Sequence, residues 1–426
     1  MKDERLRQWR YHPARDRLLA EAHARPFTPL AAPMLATRIA TLSGEDGAGE
    51  DRAHMVALCR RLGHSEPSPD SKWCVLDSGT WKLRWERHTE FSTWTFFRTP
   101  TRTDPFKETG LDLAPVDWVD ALPGEVLVAT NLALITLAKR PPATLMEGVD
   151  AIGASILDGK ARFYTDLRPD AQGMTRFLLL VDGKDDQLAG RIALSLLEIE
   201  TYRLMALLAF PLAGEATTKL TRIEAQAGEL AAQLAQRGDV SEDRALLARL
   251  TALAGETEAL IAQTSFRFGA GAAYHDIVHD RIANLQESRI EGLQTLGAFM
   301  ERRLAPAMRT CDTVARREQA AIERIARTEE MLNTRVEVAA EETSAALLHS
   351  MDSRAQVQLR LQKAVEGFSV VAISYYVLGI LLYLLKAIEH VRQGFDPVIW
   401  AGLATPWIVA TVWLALRRFH RKIILP

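Results

Sequence analysis

At 426 residues, 48 % of them apolar, the chain has material for two or three domains with a substantial core. Its 52 basic residues nearly balance 54 acidic ones and lie scattered, so no electrostatic footprint points to nucleic acid. The three cysteines, Cys59, Cys74 and Cys311, are far apart in sequence, fit no zinc spacing or disulfide framework, and read as small buried hydrophobes in a reducing compartment.

The first ten residues carry positive charge with no apolar run behind them, so no secretory signal is read and the N-terminal part is expected in the cytoplasm. A short helix is expected over 13–24, halted by Pro26. The run Glu21-Ala22-His23-Ala24-Arg25-Pro26-Phe27 offers an imidazole that titrates near neutrality and a guanidinium suited to a carboxylate or phosphate. The plainer reading is a helix end with Arg25 in a structural ion pair.

Residues 34–43 read as a first strand, and 50–63 as a helix. From Ser71 to Thr99 the chain reads as a meander. Trp81, Leu83 and Trp85 alternate with Lys82, Arg84 and Glu86, and the aromatic, β-branched run at 91–97 suits a central strand. A helix is expected at 132–139. Further strands are expected at 125–131, 153–157, 160–166 and 175–181, with Asp158-Gly159 as a hairpin turn. This predicts an α+β domain with a largely antiparallel sheet.

From about Gln187 the apolar period becomes helical. Helices are expected over 187–209, stopped by Pro211, over 215–236, and back over 241–264. The Gly/Ala-rich segment 268–273 then leads into a helix running to about Leu304, with a kink or break at Pro306. Residues 307–366 contain neither proline nor glycine and predict a stalk helix of ~90 Å at 1.5 Å per residue. Its heptad spacing is interrupted by polar residues such as Glu329, Thr343 and Arg360, which suits loose packing around an axis or against the preceding hairpin. His275 and His279 share a helix face at zinc-site spacing. Asp276 stands where a metalloprotease carries Glu, however, and no third ligand is evident, so the pair reads as a solvated face.

Two uncharged runs of 19 residues close the chain, 367–385 and 398–416, each near the ~20 residues that cross a bilayer. The basic tail from Arg417 to Lys422 and the mixed-charge loop between the runs predict a hairpin in a cytoplasmic membrane with both chain termini in the cytoplasm. Ser374, Tyr375, Tyr376 and Gly379 interrupt the aliphatic surface of the first run and mark it for helix packing or a pore lining. Neither run carries a charge, which argues against a proton relay or voltage sensor.

The segment Glu21–Phe27, together with 87–94 (Arg-His-Thr-Glu-Phe-Ser-Thr-Trp), 198–203 (Glu-Ile-Glu-Thr-Tyr-Arg) and 365–376, resembles a bacterial family of membrane-anchored proteins known as a domain of unknown function, DUF3422. That resemblance carries no activity. The layout is also similar to the CorA-type magnesium channels, which are pentamers whose long helices line the pore. Those carry Gly-Met-Asn after the first membrane helix, where this chain reads Lys386-Ala387-Ile388-Glu389-His390. The fold class expected is an α+β cytoplasmic domain (1–185), a helical hairpin (186–304), a stalk (305–366), two transmembrane helices (367–416) and a basic tail (417–426). A homo-oligomer in the lipid bilayer, conducting or transporting ions, is the leading functional expectation, and a membrane-anchored scaffold or sensor the alternative. No catalytic motif, metal site or cofactor is read. An enzyme would need a pocket made from His23, Arg25, Glu90, Tyr202 and Arg203.

Overall fold

The computed structural model describes residues 10–16, 18–19, 28–44, 46–137, 152–236, 240–389 and 396–423. The chain forms two compact units, one of 1–236 and 248–329, the other of 237–247 and 330–426.

The first unit is organised by a nine-stranded sheet. Its strands are β1 (Met34–Leu42), β2 (Trp73–Asp77), β3 (Trp81–Arg87), β4 (Phe91–Arg98), β5 (Glu125–Thr136), β6 (Ile152–Ile156), β7 (Ala161–Pro169), β8 (Thr175–Val181) and β9 (Ser288–Arg289). They lie in the order β2-β3-β4-β1-β5-β8-β7-β6-β9. Every pairing is antiparallel except that of β5 with β8. The expected helix at 132–139 is not formed where the chain is described: β5 runs on to Thr136. Held between β1 and β8, Leu132, Ala133 and Leu134 are fully buried, and ladder bonds on both edges override the local helical signal.

One face of the sheet carries the aromatic core. Trp81, Leu83 and Trp85 of β3 and Trp94 and Phe96 of β4 pack under Met55, Leu58 and Cys59 of helix α1 (Ala48–Leu62) and Trp118 of α2 (Val116–Asp120). Helix α1 follows from its ends. Glu50 and Asp51 sit in the first turn, Arg60 and Arg61 in the last, and Gly63 closes it at φ +70° with its N–H on the Arg60 and Cys59 carbonyls. Cys59 and Cys74, distant in sequence, meet here: the Cys74 thiol donates to the Cys59 sulfur.

The opposite face is covered by α3 (Asp186–Leu207), which leads into α4 (Ala209–Ala235). Helix α3 ends at Leu207, close to the stop expected ahead of Pro211, and Pro211 itself lies in the first turn of α4, where its missing N–H has no carbonyl of that helix to serve. The next helix, α5 (Val240–Leu285), passes unbroken through the Gly/Ala segment at 268–273. A Cβ on Gly271 would lie 3.0 Å from Ala209 Cβ and 3.3 Å from the Ala206 carbonyl oxygen. The small residues therefore allow close helix contact rather than breaking the helix. Nor does this helix reach Leu304: it ends at Leu285, β9 joins the sheet beside β6, and α6 begins at Leu296.

Helix α6 (Leu296–Glu389) is continuous across 94 residues with Pro306 inside it, so the proline gives no break. In the second unit, its C-terminal part is joined by α7 (Pro397–Ile423), which Asp396 starts by accepting the Val398 N–H at 2.9 Å. Both helices contain stretches long and apolar enough to cross a bilayer, and little of either stretch is buried. Arg335 pairs with Asp243 at 3.1 Å in the same unit.

Candidate functional site

The period of two that places Trp81, Leu83 and Trp85 on the aromatic face puts Arg84 and Glu86 on the other. There the sheet register aligns Arg84, Thr95, Arg38, Thr130 and Thr175 in one row across five strands. All are buried, Arg38 to 2 % exposure. Arg38 Nε donates to Thr95 Oγ1 at 2.9 Å, and Arg84 Nη2 donates to Glu86 Oε1 at 2.8 Å. Arg38 Nη2 lies 3.9 Å from Glu86 Oε2 and has no hydrogen-bond partner among the described residues. Burial pulls the Arg38 guanidinium below its ordinary pKa, against the attraction of Glu86 and Glu198. Burial opposes the charge of Glu86, but the bond from Arg84 and the nearby Arg38 outweigh it and hold this carboxyl below its usual range.

Helices α3 and α5 close over this row with their own polar groups. Glu198 of α3 accepts from Arg281 of α5, beside Tyr202. At the strand end, Glu90 is held by Arg267, whose Nη1 donates at 3.0 Å and whose Nη2 donates to the other oxygen, and by the Tyr274 hydroxyl at 2.9 Å. Tyr274 stacks on Tyr202 with centroids 5.5 Å apart, and Phe91 meets both rings edge-on. Burial and the nearby Glu198 push the Tyr202 phenol up to about 12, and burial with the bond to Glu90 raises Tyr274 as well. This is a buried charge network rather than an open pocket, its bonds joining one protein group to another.

A cleft of about 700 Å³ lies elsewhere in the first unit, between α5 and α6. Phe268, Ala305, Met308 and Cys311 form its buried floor, while His275, His279 and Glu301 stand at one end and Glu318 at the other. His279 Nε2 is 3.2 Å from Glu301 Oε1. Burial, with the neighbouring His279, keeps His275 below the ordinary imidazole range. The histidine pair thus lines a cleft, where the sequence suggests a solvated face. Among the described residues no three metal-ligating side chains come together.

In the second unit Ser374 is 6 % exposed, lines a cavity of about 200 Å³ with Thr405, Ile408 and Val409 of α7, and has no hydrogen-bond partner among the described residues for its hydroxyl. Tyr375 and Tyr376 are exposed, and Gly379 has open space where a side chain would stand.

A family model described as "Protein of unknown function (DUF3422)" matches residues 10–423. The chain belongs to the DUF3422 family. No curated protein and no solved structure matches it. Two of the stretches that carry the DUF3422 resemblance, 87–94 and 198–203, meet in the charge network through Glu90, Phe91 and Tyr202. Of the five residues grouped from sequence, Glu90 and Tyr202 are joined through Tyr274. Arg203 turns to Glu200, bonding both carboxylate oxygens at 2.8 Å, and Glu200 also accepts from Thr175 at 3.0 Å. His23 and Arg25 lie outside the described residues. Sequence reasoning missed Arg38, Glu198, Arg267, Tyr274 and Arg281 as network members. Arg38, a lone cation inside the apolar strand run 34–42, was the one available signal.

Proposed function

We propose that this DUF3422 chain is a homo-oligomeric membrane protein, held by α6 and α7 as a hairpin with both chain ends in the cytoplasm, in which copies of α6 surround an axis along which ions cross. The observation behind it is the face of α6 that its own chain leaves uncovered. At about 100° per residue, Ser369, Ala372, Tyr376, Gly379 and Tyr383 fall on the side opposite Ser374, which α7 covers. Tyr376 and Tyr383 are 70 % and 79 % exposed. Small and hydroxyl-bearing residues gain little from lipid and much from a neighbouring helix or a wet path.

The water-side part of α6 supports the oligomer. Leu347, Leu348, Met351, Val357, Leu361 and Val365 are all exposed. Exposed apolar side chains on a helix in water, here interrupted by Arg354 and Gln358, call for a cover, and a second copy of α6 supplies one by symmetry. The order of elements, a mixed sheet followed by long helices and two terminal apolar helices, is also the plan of CorA-type channels, a likeness of layout that supports the reading by analogy alone.

The first test is the mass of the detergent-extracted protein by light scattering corrected for bound detergent. A monomer removes the shared axis. Flux into liposomes follows, with Gly379→Leu placed on the proposed axis: ion flux above empty vesicles, reduced at least ten-fold by the substitution at unchanged mass, is expected. Flux no greater than in empty vesicles ends the conduction reading. The cleft in the first unit favours a second reading, a membrane-anchored sensor that keeps its binding partner when the apolar stretches 367–385 and 398–416 are deleted and the cleft-lining residues up to Gln319 remain.

A further inference from the structure

We infer that the cleft between α5 and α6 is a binding site for a small organic cation, an ammonium group carried on an apolar body. The deciding group is Glu318. It is 3 % exposed, lines the cleft, and has no basic partner among the described residues. Among the described residues its carboxylate bonds only the Thr264 hydroxyl, at 3.0 and 3.2 Å, and that hydroxyl also lies within reach of the Leu260 and Ile261 carbonyls. One proton thus serves four acceptors.

The other acids of the cleft differ. Asp312 pairs with Arg316 at 2.9 Å, Glu301 with His279 at 3.2 Å, and Asp276 lies 3.9 Å from His275. Burial raises the Glu318 carboxyl above its ordinary value, the direction expected of an acid desolvated without a counter-ion. A buried carboxylate at the end of a cavity, with no counter-ion among the described residues, favours a positively charged occupant.

The shape of the cleft selects among cations. A volume of about 700 Å³ far exceeds a bare metal ion, and among the described residues no group of three metal-ligating side chains is placed to hold one. Floor residues Phe268 and Met308 offer an aromatic face and a polarisable thioether, both suited to an alkyl or aryl ammonium. With Asp276, Glu301, Asp312 and Glu318 against Arg309, the lining favours positive charge. A buried acid of this kind disfavours the alternative that an apolar helix from a second copy fills the cleft. Binding here stands whether or not the membrane part conducts.

The test is calorimetric titration of the full-length detergent-solubilised protein with two probes, phenethylamine and spermidine, and with uncharged 2-phenylethanol as the control. Saturable binding of an amine at one site per chain is expected, at least ten-fold weaker for 2-phenylethanol and for Glu318→Gln. E318Q removes a buried acid without changing its volume, so its thermal midpoint without ligand should match or exceed the native one. Ala272→Trp, which fills the cleft from α5 and leaves Glu318 intact, should also abolish binding. No saturable binding of either amine, or equal binding to E318Q, overturns the inference. So does disulfide cross-linking between copies through Ala272→Cys and Asp312→Cys, which would make the cleft an interface.

Discussion

Single side chains in the first unit hold charge where water cannot reach it. Glu86 has its pKa held below the ordinary 4.5 in the fold, so its ionised form stabilises the native state above that value. That contribution is lost as pH falls through 4.5 towards the folded pKa. Denaturant midpoints measured across this range should fall less steeply for Glu86→Gln than for the native chain; parallel curves would show that Arg84 and Arg38 do not stabilise the charged form. The thiols behave oppositely. Burial raises Cys59 and Cys311, and burial with the contact to Cys59 pushes Cys74 up to about 11. Little thiolate exists at neutral pH, so iodoacetamide should leave the native protein unlabelled and add three labels after unfolding, as read by mass spectrometry.

At the scale of elements, composition was legible and context was not. The apolar and aromatic runs placed eight of the strands and the onset of the helical region, because period two and period 3.6 are written in the order of residues. The failures share a cause. Residues 132–136 became strand because two neighbours offered a ladder, and 268–273 stayed helical because another helix needed close approach. The second case is measurable. Gly271→Val should destabilise the protein by about 1–3 kcal/mol through overpacking against Ala209. Gly255→Ala, on the same helix with nothing within 4 Å of the added methyl, should instead stabilise it by up to about 1 kcal/mol. Equal effects in chemical denaturation would mean that α5 does not depend on the close contact.

For the whole molecule, α6 and α7 each contain a stretch long and apolar enough to cross a bilayer. The proposed topology puts Asp396, at the start of α7, on the outer side and Ser350 of α6 on the cytoplasmic side. In a chain with its three native cysteines replaced, Asp396→Cys should react with a membrane-impermeant maleimide on intact cells, and Ser350→Cys only after permeabilisation. The reverse pattern inverts the hairpin, and labelling of both from outside removes the cytoplasmic assignment of the stalk. Both apolar stretches lie largely uncovered by the chain itself, unlike the core helices of a globular domain, and this makes the experiment worth doing first in a native membrane.

Sequence by itself determined the class of each large segment and the two terminal apolar helices, since these depend on local periodicity and on the length of uncharged runs. It also grouped Glu90 and Tyr202 with His23, Arg25 and Arg203 as the pocket an enzyme would need, though not what holds them. The tertiary structure alone decided that Arg38 and Arg84 share a buried row, that Arg267 and Tyr274 reach Glu90 across more than 170 positions, and that Glu318 faces a cleft with no counter-ion among the described residues. Such pairings follow from strand register and helix packing. A charge in a sequence is compatible with water, a partner or a ligand, and only the neighbours brought by the fold select among them.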